Sequence, residues 1–293
     1  QNNPDYLIGV VFLFGLIFGS FFNVVIYRTP LMLFKEWLKN TREFIEEIYG
    51  SLPKELEEDP KDFKSGTFNL ATPNSTCPKC GHEIKWYENI PVISYLFLRG
   101  KCSNCKTGIS IRYPAVELVT GILSAFVAYK LGASVEMLAI LALTWSFICL
   151  TMIDYDHHIL PDQITLPLLW LGLMLNINGM FVPLESAVIG AAAGYLSLWS
   201  IYQLFKLFTG KEGMGFGDFK LLAALGAWMG WEVLPLIILL SSLVGSVIGV
   251  SFILIKGRDK NIPFAFGPYL AIAGWISFFW GDAIIHYYKY QML

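Results

Sequence analysis

Charge is what this 293-residue sequence has least of. Only 15% of its residues are Asp, Glu, Lys or Arg, against about 25% in soluble domains. That shortage argues against an ordinary soluble enzyme. The net charge of -2 excludes a strongly basic nucleic-acid binder. Five cysteines are too few for a disulfide-dense secreted scaffold. No GxGxxG follows a predicted strand, so the Rossmann signal for a dinucleotide or S-adenosylmethionine is missing. Short internal repeats are missing too, which excludes a solenoid.

What is present is apolar. Hydrophobic residues make up 55% and aromatics 15%, mean hydropathy is +0.54, and disorder is thereby excluded. The charges are unevenly placed. Residues 28–112 hold 13 of the 21 Lys+Arg and 11 of the 23 Asp+Glu. The pattern is a membrane body with one large polar insertion.

Residues 6–27 carry no charge and are long enough to span a bilayer. Asp5 precedes this run, Arg28 follows it, and no small-residue cleavage site is visible, so it reads as a retained helix rather than a signal peptide. After the insertion, apolar runs recur at about 114–131, 134–153, 163–182, 185–208, 219–231, 233–255 and 264–285. The expected fold is an all-α polytopic membrane protein with about eight transmembrane helices. A short 219–231 run makes seven crossings plus a re-entrant segment the rival. The expected domains are a first transmembrane helix at 1–27, a cytoplasmic zinc-binding domain at 28–112 and a transmembrane body at 113–293.

Threading eight helices in order puts 19 of the 21 basic residues on the side that holds the insertion. The positive-inside rule makes that side cytoplasmic. Gly15/Gly19, Gly190/Gly194, Gly226/Gly230 and Gly245/Gly249 have the spacing that lets helices approach closely in lipid.

Within the insertion, Cys77 and Cys80 form CPKC, and Cys102 and Cys105 form CSNC, with 21 residues between the pairs. Two such knuckles can close a tetrahedral zinc site. Thiols stay reduced on a cytoplasmic side, which favours metal over disulfides. Four cysteines fill the zinc coordination sphere and leave no position for water, so the metal is structural. His82 is an alternative ligand. Cys149 reads as a buried small hydrophobe.

Charges in the membrane body are few enough to take singly. Asp154, Asp156 and Asp162 lie in MIDYDHHILPD, and Asp218 closes GMGFGD. The threading brings both stretches to the cytoplasmic face. Two close carboxylates cannot both ionise easily and can share acid and base roles in hydrolysis. The glycines at 213, 215 and 217 let backbone run near a substrate strand. Other readings stand beside this one. Asp162 and Asp218 can act as helix N-caps, and Asp156 as a solvated charge. His157 and His158 read as interfacial, and His286 at the last helix end is uninformative. Glu117, Glu136, Glu185 and Glu232 fall near helix ends, and Glu117 faces the active side. On these residues alone, an Asp154/Asp218 dyad competes with a proton relay in a transporter.

Longer blocks carry a resemblance. FGSFFNVVIYRTP at 18–30, NSTCPKCGHEIKWYENIPVISYL at 74–96, GKCSNCKTGISIRYPAVEL at 100–118, MIDYDHHILPDQITLPL at 152–168, GMGFGDFKLLAALGAWMGW at 213–231 and PFAFGPYLAIAGW at 263–275 follow one another. Together they resemble the type IV prepilin peptidases, GxGD-type aspartic proteases of the bacterial inner membrane. The resemblance implies that Asp154 and Asp218 are catalytic. It implies cleavage of a basic leader from prepilins or pseudopilins of type IV pili or type II secretion, followed by N-methylation with S-adenosylmethionine. Possession of Cys77, Cys80, Cys102 and Cys105 favours the bifunctional form. The segment 86–101, with Trp86, Glu88, Asn89, Tyr95 and Gly100, is the candidate methyltransferase region. No cofactor contact is assigned, and no nucleic acid is expected as a partner. The acidic run at 55–62 suits a basic leader, or a solvated loop. The competing class is a proton-coupled transporter, which would more often place its acids near the bilayer midplane.

Overall fold

The structure is a computed structural model that describes residues 4–53, 56, 60, 67–256 and 265–291. Most of the acidic run at 55–62, and the first two residues of the 263–275 block, lie outside the described residues. The chain forms two compact units, residues 1–137 and 138–293.

In the first unit, α1 (Pro4–Tyr49) does not stop at Tyr27 but runs on through Pro30. At 1.5 Å per residue its 46 residues reach about 69 Å, twice the apolar thickness of a bilayer. A short helix α2 (Ile93–Phe97) follows a 3-10 turn at Trp86–Asn89. Helix α3 (Arg112–Leu131) then packs along α1. Glycine makes this possible. A Cβ on Gly15 would lie 2.8 Å from the Cα of Gly121, and one on Gly19 would lie 2.7 Å from the Cα of Glu117. The expected small-residue pair is therefore a contact seam. Hydroxyls in α3 are satisfied within the helix: Thr120 donates to the Val116 carbonyl and Ser124 to the Thr120 carbonyl, each at 2.7 Å.

Helix α4 (Val135–His157) begins in the first unit and runs through the second. The second unit continues with α5 (Asp162–Leu175), a 3-10 turn at Asn176–Asn178, α6 (Leu184–Thr209), α7 (Phe216–Met229), α8 (Leu234–Lys256) and α9 (Gly267–Gln291). Helix α7 is the centre. From Leu221 to Met229 every residue is buried, and its neighbours are α5, α6, α8 and α9. Trp228 is wholly buried and donates its indole N–H to the Leu168 carbonyl at 2.8 Å. Gly172 opens the space for that ring, since its Cβ would lie 2.7 Å from Trp228 Nε1.

Each of the eight expected helices has an observed counterpart, and among the described residues six are long and apolar enough to cross a membrane: α1, α3, α4, α6, α8 and α9. Helices α5 and α7 have 14 residues each, or about 21 Å against a hydrocarbon core of about 30 Å. The expected 163–182 run breaks at Asn176. Its amide donates to the Ala227 carbonyl at 2.9 Å and accepts from the N–H of Phe181 at 2.9 Å and of Val182 at 3.2 Å. One side chain thus serves the C-terminal end of α7 and fixes the turn after α5. With a further bond to the Trp228 carbonyl at 3.3 Å, four hydrogen bonds that an apolar residue could not make hold a bend that hydropathy does not show.

Candidate active site and metal centre

Asp154 and Asp218 both lie in the second unit. Asp154 sits near the end of α4, three residues before His157. Asp218 is the third residue of α7. Both are buried, at 5% and 7% exposure, and near enough for their charges to interact. The N-cap of α7 is Gly215 and makes no side-chain cap bond, so Asp218 is not a capping residue. Its position in the first turn still faces the positive end of the helix dipole.

The two acids differ in their partners. Asp154 Oδ2 accepts from the backbone N–H of Gly267 at 3.0 Å. Gly267 is the first residue of α9, so a third element holds that acid. Asp218 Oδ1 is buried and has no hydrogen-bond partner among the described residues. A buried carboxylate oxygen left in this state is costly and calls for an unusual role.

The motif glycines serve packing here. A Cβ on Gly217 would meet Leu160 Cβ at 2.8 Å, and one on Gly213 would meet the Phe205 ring at 2.8 Å. Leu160 also lies 3.1 Å from the Cβ position of Gly267. It therefore wedges between the α4–α5 turn, the start of α7 and the start of α9. Asp162 is not an N-cap either; that position belongs to Pro161. Instead Lys220 Nζ lies 2.7 Å from each Asp162 oxygen and ties the first turns of α5 and α7. Asp156, His157 and His158 are exposed.

Sequence reasoning missed Gly267, Leu160 and Lys220 as supports of the dyad. The phenylalanine-glycine-proline step inside the 263–275 block was the only available signal for Gly267.

The cysteines lie in the first unit. Their four sulfurs are all within 4.8 Å of one another. Cys77 Sγ is 3.8 Å from Cys105 Sγ, and Cys80 Sγ is 3.9 Å from Cys102 Sγ. A tetrahedral zinc with bonds of about 2.3 Å needs sulfurs about 3.8 Å apart. The donor set and the spacing both fit zinc.

The two knuckles repeat one backbone plan. Cys77 N–H bonds to the His82 carbonyl and Cys102 N–H to the Thr107 carbonyl, each at 2.8 Å. Four residues after the first cysteine of each, Gly81 and Lys106 have φ of 70° and 60°. Glycine suits that left-handed region, whereas Lys106 bears strain there. Thr107, through its side chain and then its N–H, pushes the Cys105 thiol down to about 6, toward the thiolate that metal binding needs. His82 is occupied elsewhere. Its Nε2 lies 3.1 Å from Glu88 Oε2 and 3.1 Å from Ser103 Oγ, so it bridges the knuckles instead of joining the metal ligands.

The same unit holds a recess of about 200 Å³, lined by Val24 and Arg28 of α1 and by residues of the 70–75 and 84–89 segments. Arg28 is 6% exposed. Its guanidinium donates to the carbonyls of Asn69 at 2.8 Å and Pro73 at 2.6 Å and lies 5.5 Å from the Phe68 ring centroid. Trp86, at the rim, is 81% exposed. Next to the recess, Glu117 is buried and accepts from the Val92 N–H at 2.7 Å, which pins the 90–92 segment to α3.

Fold and site together define a class: a multi-pass α-helical membrane protein with a buried pair of carboxylates and a four-cysteine cluster. Residues 13–131 match the Bacterial Peptidase A24 N-terminal domain, and residues 141–250 match the type IV leader peptidase family. The prepilin leader peptidase/N-methyltransferase of Stutzerimonas stutzeri is 53% identical over 283 residues, covering 97% of this chain and 94% of that protein. The protein of the same name from Pseudomonas aeruginosa is 52% identical, over 98% of this chain and 95% of its own. That from Neisseria gonorrhoeae is 51% identical, over 92% and 89%. No solved structure matches. The chain belongs to the type IV leader peptidase family.

Proposed function

We propose that this protein removes the basic leader from type IV prepilins or pseudopilins and N-methylates the new terminus. Asp154 and Asp218 are the catalytic pair. The observation that carries the reading is Asp218 Oδ1, buried and without a hydrogen-bond partner among the described residues, beside a second carboxylate that a backbone N–H holds in place.

The chemistry follows from a pair that works with one proton between them. The ionised member takes a proton from water as that oxygen attacks the scissile carbonyl carbon. The protonated member gives its proton to the carbonyl oxygen. Collapse of the tetrahedral intermediate breaks the C–N bond and passes a proton to the leaving amine. The N–H of Gly267 keeps Asp154 in one rotamer through this cycle, so less reorganisation is needed.

Cys77, Cys80, Cys102 and Cys105 would hold zinc in a structural role, since four thiolates leave no place for water. S-adenosylmethionine, when bound, supplies an electrophilic methyl group on a sulfonium. The membrane is the bacterial inner membrane, with the aspartates and the zinc domain toward the cytoplasm. Family membership in peptidases supports this reading over the transporter.

Cleavage of a prepilin in detergent tests the dyad. Asp154→Asn and Asp218→Asn should each lower turnover at least 1,000-fold, about 4 kcal/mol of transition-state stabilisation, with the chain still folded. Full cleavage by either variant would sink the proposal.

A further inference from the structure

We propose that the recess over Arg28 holds the amino-acid end of S-adenosylmethionine, with the rest of the donor lying across Trp86. This rests on the methyltransferase reading above.

The first reason is charge. Arg28 is a buried cation, and none of the ion pairs among the described residues includes it. Two backbone carbonyls take one N–H from each terminal nitrogen. Guanidinium carries five such donors, so three have no partner among the described residues. Carbonyl dipoles hold the group in place without neutralising it. A buried cation fixed in this way suits an anion, and a carboxylate fits its planar fork in particular. The donor's methionyl end carries that carboxylate.

The second reason is the wall of the recess. Asn74, Ser75 and Asn89 line it beside Val24 and Ile84. Side-chain oxygens of this kind can accept from the donor's ammonium, while the aliphatic groups suit its methylenes. Asn89 also approaches the Ser20 hydroxyl of α1 at 3.4 Å, so this wall is tied to a long helix.

Size is the third reason. Ligand pockets that enclose a whole drug-sized molecule measure about 300 Å³ or more. A recess of about 200 Å³ takes the methionyl part and leaves the nucleoside outside. At the rim of the recess stands Trp86, an exposed indole perpendicular to the Tyr87 ring with centroids 5.7 Å apart. Its open face offers a stacking surface for a purine. An indole face also attracts a cationic sulfonium by cation–π interaction. Arg28 and Trp86 thus recognise opposite ends of one molecule.

The test is equilibrium binding of radiolabelled S-adenosylmethionine, with S-adenosylhomocysteine as competitor, to the full zinc-loaded chain in detergent. Trp86 is exposed, so Trp86→Ala leaves the fold intact; it should weaken binding at least 10-fold, and Trp86→Phe should recover most of the loss. Ala71→Asp puts a carboxylate on the recess wall and should also weaken binding at least 10-fold, whereas Ala71→Ser stays within about 2-fold. Zinc content and unfolding midpoint on the same preparations confirm the fold of each variant. Wild-type affinity in both Trp86→Ala and Ala71→Asp would overturn the recess while leaving the methyltransferase reading intact. A wild-type chain that binds no donor would overturn both.

Discussion

Gly267 matters because it has no side chain and keeps its N–H. That N–H reaches Asp154 Oδ2 at 3.0 Å, and a Cβ at the same residue would stand 2.8 Å from the same oxygen. Leu160 blocks the alternative, at 3.1 Å from that Cβ position. Alanine here must therefore displace the carboxylate it is meant to hold. A displacement of about 1 Å at a reacting group costs about 100-fold in rate. Gly267→Ala should lower kcat for leader cleavage by 10- to 100-fold with KM little changed, as measured by steady-state cleavage of a prepilin. A wild-type kcat would show that this hydrogen bond does not position Asp154.

At the scale of elements, the two cysteine knuckles are joined by the hydrogen bonds among His82, Glu88 and Ser103. Glu88 accepts from the Lys85 N–H at 3.0 Å as well as meeting His82. Hydrogen bonding with Ser103, then with Lys85 N–H and His82, holds its carboxyl down at about 2, against an ordinary 4.5. A depressed folded value means that the ionised form stabilises the fold above pH 4.5. That contribution fades as pH falls from about 4.5 to about 2. Glu88→Gln should therefore retain zinc less well than wild type at pH 7, and the gap should narrow as the medium is acidified through that window. Both forms lose zinc in acid as thiolates protonate, so the difference between them is the readout. A gap that stays constant from pH 7 to pH 3 would contradict the role given to Glu88.

These elements were unequally legible in the sequence. Asp154, Asp218 and the cysteines stood out because charge and thiol pairs are rare against an apolar background. The knuckle geometry followed from CxxC spacing. The break after α5 did not show, because it depends on Asn176 reaching backbone groups 51 residues away at Ala227 and nearby at Phe181. The run-on of α1 to Tyr49 was hidden by Pro30 and the charges beyond it. Gly267 was hidden for a different reason: a backbone donor leaves almost no mark in the side-chain pattern.

Across the whole molecule, the cysteine cluster and the carboxylate pair belong to different compact units, 1–137 and 138–293. Residues 67–85 and 98–111 contain no helix and only two isolated bridges, Thr76 with Glu83 and Lys101 with Gly108. On the proposed zinc site, a segment so poor in regular structure depends on the metal to stay folded. Helices α4 to α9 are held by buried apolar packing instead. Chelation should expose the 67–111 segment to protease, abolish S-adenosylmethionine binding and leave leader cleavage above half its starting rate. Helical circular dichroism of the chain should fall only slightly. Equal loss of cleavage and donor binding would show that the zinc loop also supports the peptidase.

The central place of α7 has a consequence for biosynthesis. Translation delivers Asp154 first, Asp218 64 residues later and Gly267 a further 49 residues on. A helix of 14 residues with an acid in its first turn partitions poorly into lipid by itself. It gains its surroundings only when α5, α6 and α9 close around it. The hydrogen bond to Asp154 forms only when α9 arrives. On the proposed mechanism, leader cleavage therefore begins only once α9 has been made and inserted beside Asp154 and Asp218.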